Sequence, residues 1–481
     1  MPKASMHMDT IIHGVRWNLG TTVLRRILSL LLLFALASWL TQSDFGIFRT
    51  YSLILAVITI IAVLGLDSNL ITSKRYAKLN VFAFTQIGLI TGIFLSLLLT
   101  LSSSWLAKLY QSTELGLIIR WMSLFVLVEV LRKLLHSIAQ VRLMFKEIAL
   151  AETWNVVFYC LMSFSVIYFY RHLWVYVLAY FLGNLVETIY LYVCLKPFPS
   201  LHLKRLFSLK WLKLSLKIMG MNRAFLTNVS IIRLINTYAG NAPILFLGTM
   251  VNPTLMGQYF FATQLIGVPV LMFTTAVGQV FYPVFAQNDR SNTIQNIKSY
   301  TRLTLSLGIP LLLMYYFGLS ILVPILFKGK WDAALPLLLY LIPYFCSVML
   351  NNPISGIPFI CRKPSWELVW NIVTLGVCLL ALLWGLRNGF GYAVLLFSFS
   401  SAFMNLVFYF MSLNLLGASL IPAIQSLISW GIGNVLLIMA LIWVSSLPYP
   451  ILYASLCFIV YLLSLYLFAK PVLRDVRRVF H

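Results

Sequence analysis

Residues 24–40 read Leu24-Arg25-Arg26-Ile27-Leu28-Ser29-Leu30-Leu31-Leu32-Leu33-Phe34-Ala35-Leu36-Ala37-Ser38-Trp39-Leu40. From Ile27 to Leu40 the run is apolar but only 14 residues long, about 21 Å as a helix at 1.5 Å per residue. A hydrocarbon core is roughly 30 Å thick, so a helix built on this run must start before the arginines, and it is predicted over 17–40. Arg25 and Arg26 are thereby placed within the membrane or at its inner third. A charge at mid-bilayer costs roughly 2.5–3.5 kcal/mol on insertion scales and persists when it faces a polar cavity or a partner. Neighbouring residues on a helix point about 100° apart, so the pair is hard to satisfy by snorkelling alone. At least one of the two is expected to face a cavity.

The rest of the chain repeats the pattern. Of its 481 residues 61% are hydrophobic and 10% charged, against roughly 25% charged in a soluble domain. Burial saturates with domain size, so a water-soluble fold cannot hide this much apolar surface. The runs are about 20 residues long, which describes helices rather than the ten-residue alternation of a barrel. The net charge of +23 does not indicate nucleic acid, because the basic residues sit between apolar runs and form no basic domain with aromatic readers. The six cysteines form no CxxC pair, so neither a disulfide framework, a zinc site nor any other cofactor is indicated. The first run lacks a small-residue cleavage site and is expected to remain as a helix.

The predicted spans are 17–40, 46–66, 82–107, 115–138, 148–170, 173–195, 230–250, 256–285, 303–327, 333–360, 366–386, 390–413, 421–445 and 449–469. An even number puts both termini on one side. One set of alternating loops holds 25 Lys and Arg, the other 6, and four more lie inside spans, which accounts for all 35. The positive-inside bias therefore makes both termini cytoplasmic. The longest connection, 196–229, carries Phe207, Trp211, Leu214 and Ile218 on one helical face and Lys210, Lys213 and Lys217 on another. That spacing predicts an amphipathic helix on an anionic leaflet, the plain alternative being a solvated basic linker.

Internal similarity suggests two lobes. Asp44-Phe45-Gly46-Ile47-Phe48 is matched by Leu255-Met256-Gly257-Gln258-Tyr259 at an offset of 211. Trp154-Asn155 returns as Trp370-Asn371, and Tyr176 as Tyr392, at an offset of 216. The expected fold is an all-α integral membrane protein of about fourteen transmembrane helices. Two six-helix lobes, 1–195 and 230–413, are related by a parallel pseudo-twofold axis, with a basic linker at 196–229 and two extra helices with a basic tail over 414–481. Parallel repeats place a substrate site between lobes. The predicted helices of the first lobe lack proline, whereas residues 230–413 hold eleven. Either the second lobe bends during transport, or these are the prolines common in membrane helices.

Five more charges complete the candidate site. Arg120 and Arg233 lie near span ends and could snorkel, and Arg49 lies at the mouth of the second span. Glu129 has Arg132 and Lys133 as i+3 and i+4 neighbours, so an internal ion pair is expected. Glu187 has no such neighbour and is open to titration, to pairing across the bundle or to coordinating a coupling cation. The unambiguous intramembrane charges are cationic, which suits an anionic cargo such as a diphosphate gripped by the guanidinium fork.

Trp17-Asn18-Leu19-Gly20 through Asp44-Phe45-Gly46-Ile47-Phe48, Gly257-Gln258-Tyr259 through Phe281-Tyr282-Pro283, and Leu326-Phe327-Lys328-Gly329-Lys330-Trp331 resemble the polysaccharide flippases of the multidrug/oligosaccharidyl-lipid/polysaccharide exporter superfamily. The resemblance spans most of the chain on short patterns. It implies an O-antigen or capsule repeat-unit flippase of the bacterial inner membrane, moving undecaprenyl-diphosphate-linked sugar to the outer leaflet by alternating access. It also implies a cationic lumen, with Arg25, Arg26 and Arg233 in matching positions. Asn236 at the repeat position of Arg25 departs from a symmetric lumen. Implied partners are the lipid-linked oligosaccharide, the bilayer, a proton or sodium ion, and other polysaccharide-assembly proteins.

The nearest rival is a cation-coupled multidrug antiporter of the same superfamily, which would carry an acid in the first span, where the only charges are Arg25 and Arg26. A polymerase or glycosyltransferase would need a large exterior loop or an acidic motif such as DxD, so a non-enzymatic role is expected. An ATP-driven pump would need a GxxxxGK phosphate loop. A channel has no positive signal.

Overall fold

A computed structural model describes residues 21–67, 77–195 and 208–418, save 23, 143, 168, 171, 288, 289 and 362, with scattered positions between 421 and 459. The two predicted C-terminal spans, 421–445 and 449–469, lie largely outside the described residues, as do Lys3, Arg16 and the basic tail. Among the described residues nine helices are long and apolar enough to cross a membrane. In a bilayer each backbone polar group must be satisfied within its own helix, which is why the apolar runs fold as they do.

The chain divides into two units, 1–260 and 261–481. The first begins with α1 (24–39) and α2 (Gln42–Val63). A capping box starts α2: Thr41 Oγ1 accepts from Asp44 N at 3.2 Å and Thr41 N donates to Asp44 Oδ2 at 2.8 Å. Leu64 in the left-handed region, followed by Gly65, ends it. Next come α3 (Ala77–Leu109), α4 (Thr113–Met122), α5 (Phe125–Val141), α6 (Phe145–Ile167) and α7 (Leu173–Leu195). The single predicted span 115–138 is interrupted at Ser123–Leu124. There Val126 N and Leu127 N bond three residues back, to Ser123 O and Leu124 O, each at 3.1 Å, a tightened turn. The Ser123 hydroxyl is shared between Thr100 Oγ1 at 2.7 Å and Arg120 O at 3.0 Å, the kind of back-bonding that bends helices.

The basic connection contains α8 (Leu209–Met221). Its expected leaflet face is in part a docking face. Trp211 packs edge-on against Phe82 of α3, Ser215 donates to Gln86 Oε1 at 2.7 Å, and Ile218 is buried. Lys210, Lys213 and Lys217 stay exposed. The following helix, α9 (Arg223–Met250), starts about two turns before its predicted span, and α10 (Pro253–Gln287) opens in the first unit.

In the second unit α10 leads to α11 (Arg290–Leu303), a π-helical turn (Thr304–Gly308), α12 (Ile309–Phe327), α13 (Leu335–Asn351), the short α14 (Ile357–Ile360), α15 (Pro364–Leu386) and α16 (Phe390–Leu415). Pro253, Pro336 and Pro364 stand at or next to the first position of a helix. There the missing N–H leaves no broken bond, so these three start helices instead of bending them. Pro310 follows the π-helical turn inside the continuous helical run Asn292–Phe327. Pro324 and Pro343 are interior. The turn Lys328-Gly329, both at positive φ, folds Trp331 back onto Phe261 with ring centroids 4.1 Å apart and leaves it fully buried. A second apolar cluster gathers Phe281, Phe285, Tyr300, Ile354 and Tyr409.

Candidate functional site

The first unit carries a half-open cavity of about 420 Å³ between α2, α5, α7 and α9. Its described lining is apolar along α2 (Leu55, Ala56, Ile60, Val63) and carries hydroxyls at Ser52, Thr59, Tyr180 and Thr237. Its charges are Asp67, Glu129, Arg132, Lys133 and Arg233. Three cations against two carboxylates leave the described lining net positive, with the carboxylate of Glu187 standing behind Arg132.

Arg132 is held by carboxylates on two helices. Its Nη2 donates to Glu129 Oε2 at 2.8 Å and its Nη1 to Glu187 Oε1 on α7 at 3.1 Å. Glu187 is held from behind, since Asn155 Nδ2 donates to its Oε2 at 2.6 Å and also to Asn184 Oδ1 at 3.0 Å. Glu129 and Glu187 are both buried, and a buried charge of either sign needs such partners. Arg233 on α9 places Nη1 2.7 Å from Asp67 Oδ1 and 2.6 Å from Oδ2, tying α9 to the turn that follows α2, four residues past its end. Lys133 lines the same cavity, exposed, and its ammonium makes no ion pair or hydrogen bond among the described residues.

The expected residues divide around this cavity. Glu129 and Arg233 line it, and Glu187 stands behind Arg132. Of the three options open for Glu187, the one seen is pairing across the bundle. Glu129 forms the expected pair with Arg132, but Lys133 is left out of it. Arg25, Arg26, Arg49 and Arg120 are not among the described lining. Arg25 pairs with Glu152 of α6 and donates to Thr22 Oγ1 at 2.9 Å, and His136 Nε2 lies 3.0 Å from the other Glu152 oxygen. Arg26 is half-buried. Arg49 donates to Asn241 Oδ1 at 2.9 Å and lies over the Phe260 ring at 5.2 Å. Arg120 is exposed and donates to Ser103 and Ser104 of α3. The Asn236 side chain is outside the described residues.

Sequence reasoning missed Asp67, Glu152 and His136, and it assigned Lys133 to Glu129. Asp67 follows the second predicted span by one residue, and an acid at the end of an apolar run was its available signal. Lys133 gave no such signal, because helical spacing alone offered it a partner.

The family described as polysaccharide biosynthesis protein matches residues 35–336. The teichuronic acid biosynthesis protein TuaB of Bacillus subtilis (strain 168) is 21% identical over 75% of this chain and 73% of its own. The lipopolysaccharide biosynthesis protein WzxC of Escherichia coli (strain K12) is 24% identical over 73% of this chain and 70% of its own. Among solved structures, the lipid II flippase MurJ in an inward closed conformation superposes with a TM-score of 0.73 at 13% identity, covering 94% of this chain and 98% of that one. The fold is that of an all-α, multi-pass integral membrane protein of about fourteen transmembrane helices.

Proposed function

This chain belongs to the family of polysaccharide biosynthesis proteins, and from that premise we propose that it flips lipid-linked oligosaccharides across a bacterial inner membrane. The cargo we assign is an undecaprenyl-diphosphate-linked repeat unit for O-antigen or capsule, carried from the cytoplasmic to the outer leaflet by alternating access of two six-helix lobes, 1–195 and 230–413, with both termini cytoplasmic. The observation that carries this is the polar cavity with Lys133, Arg132 and Arg233 on its wall inside an otherwise apolar bundle. Cations kept at that depth mark a path for an anion, and a diphosphate fits both the guanidinium fork and the ammonium point charge. The fold of a lipid II flippase and the names of the two relatives support the same class of cargo.

The ranking of contacts follows from position on the cavity wall first and from partners second. Lys133 and Arg233, which line the cavity, are the first contacts of the phosphates, although Asp67 holds Arg233. Arg26 is the next, having no ion pair among the described residues. Arg49 and Arg120 follow, and Arg25 comes last because Glu152 already holds it. Glu129 and Glu187 are the proposed carboxylates for coupling to protons or sodium.

The test is made in cells. Loss of the protein should accumulate a lipid-linked oligosaccharide and remove surface glycan. The double variant Lys133→Ala with Arg233→Ala should do the same while still inserting in the membrane. Normal glycan display by that variant would remove the cavity from the transport path.

A further inference from the structure

Arg233 is the cation best placed to take a phosphate, yet both oxygens of Asp67 already sit on it, at 2.7 and 2.6 Å. The pair lines the cavity, and it is not sealed: the Arg233 side chain is 38% exposed, Asp67 11%. Lys133 stands on the same wall with its ammonium in neither an ion pair nor a hydrogen bond among the described residues. Resting on the cargo reading above, we propose that Asp67 is a stand-in anion, occupying Arg233 between cargoes and displaced when a phosphate group arrives.

A competitor of this kind stabilises the protein between cargoes. An arginine partly desolvated in a membrane cavity is better accommodated with a resident anion than without one, whereas the exposed Lys133 does without. A carboxylate supplies one charge and two oxygens. A phosphate offers more charge and more oxygens, so the attraction of Lys133, on which Asp67 already draws, is greater for it. Lys133 thus captures the phosphate, and Arg233 then exchanges partners.

The exchange has a mechanical consequence. Asp67 and Arg233 join the turn after α2 to α9 across 166 residues of sequence. When Arg233 turns to the phosphate, that tie is released, so loading favours a state in which α2 and α9 part. A ligand shifts a conformational equilibrium only by its differential affinity for the two states, and the broken tie supplies the difference. The empty carrier stays latched and the loaded one does not.

Binding of inorganic pyrophosphate to the full-length protein in lipid nanodiscs tests this, with thermal unfolding of each variant alongside. Asp67→Asn keeps the shape and removes the competing charge, and it should bind at least about fivefold tighter than wild type, the lower end of usual coupling between sites. Lys133→Ala should bind more weakly. The exchange Asp67→Arg with Arg233→Asp should recover the thermal stability lost in Arg233→Asp alone. It should bind more weakly than Asp67→Asn, because the resident carboxylate still competes. Weakening by Lys133→Ala without tightening by Asp67→Asn would overturn the stand-in role and leave the cargo reading intact. A wild-type protein that binds no pyrophosphate, or binds it independently of Lys133 and Arg233, would overturn both.

Discussion

Gly46 of α2 and Gly257 of α10 meet backbone to backbone. A Cβ on Gly46 would fall closer than 3.0 Å to the carbonyl oxygen of Pro253, and one on Gly257 equally close to that of Gln42. The contact is reciprocal, since Gln42 and Pro253 stand at the same separation as the two glycines. The caps match as well: Thr41 accepts from Asp44 N at 3.2 Å and Asn252 accepts from Leu255 N at 2.9 Å. Gln258 Nε2 adds a hydrogen bond to Gln42 Oε1 at 2.7 Å.

The glycines are therefore set by close approach of the chain, not by turn geometry. Gly46→Leu or Gly257→Leu should each lower stability by about 1–3 kcal/mol, the usual range for overpacking. Thermal unfolding in detergent reads this out. An unchanged midpoint for both would mean that the crossing opens at no cost.

Arg132 holds two buried carboxylates, so its loss should exceed the loss of either one. Arg132→Ala is expected to cost about 3–5 kcal/mol, and Glu187→Gln less, because Glu129 stays on Arg132. A double-mutant cycle between positions 132 and 187 should give a coupling of about 0.5–3 kcal/mol. Additive losses would show that the 3.1 Å contact contributes nothing.

The Arg25–Glu152 pair separates a structural arginine from a cargo contact. Arg25→Glu alone should lower the amount of protein in the membrane. Arg25→Glu with Glu152→Arg should restore both protein level and surface glycan. Restored protein without glycan would return Arg25 to the cargo path.

Trp331 is fully buried and touches both Phe261 and Phe327. Trp331→Ala should cost about 3–5 kcal/mol, as large aromatic truncations do. Trp331→Phe should recover much of it. Equal loss in both would place the requirement on the indole itself.

The sequence by itself determined where helices run, because lipid forces each apolar run to satisfy its own backbone. The apolar runs at 173–195 and 390–413 needed no partner to be read as α7 and α16. It also singled out Arg25, Arg26, Glu129 and Glu187 as charges within apolar runs, where a charge is costly unless a partner or a cavity receives it. What it could not state is which charge meets which. Arg132 and Glu187 are 55 residues apart, Arg233 and Asp67 166, and no spacing rule reaches across helices. Only the packing of the bundle left Lys133 open on the cavity wall and turned Arg25 toward Glu152. Ion pairing is decided by a few ångströms between side chains, and those distances exist only once the helices are side by side.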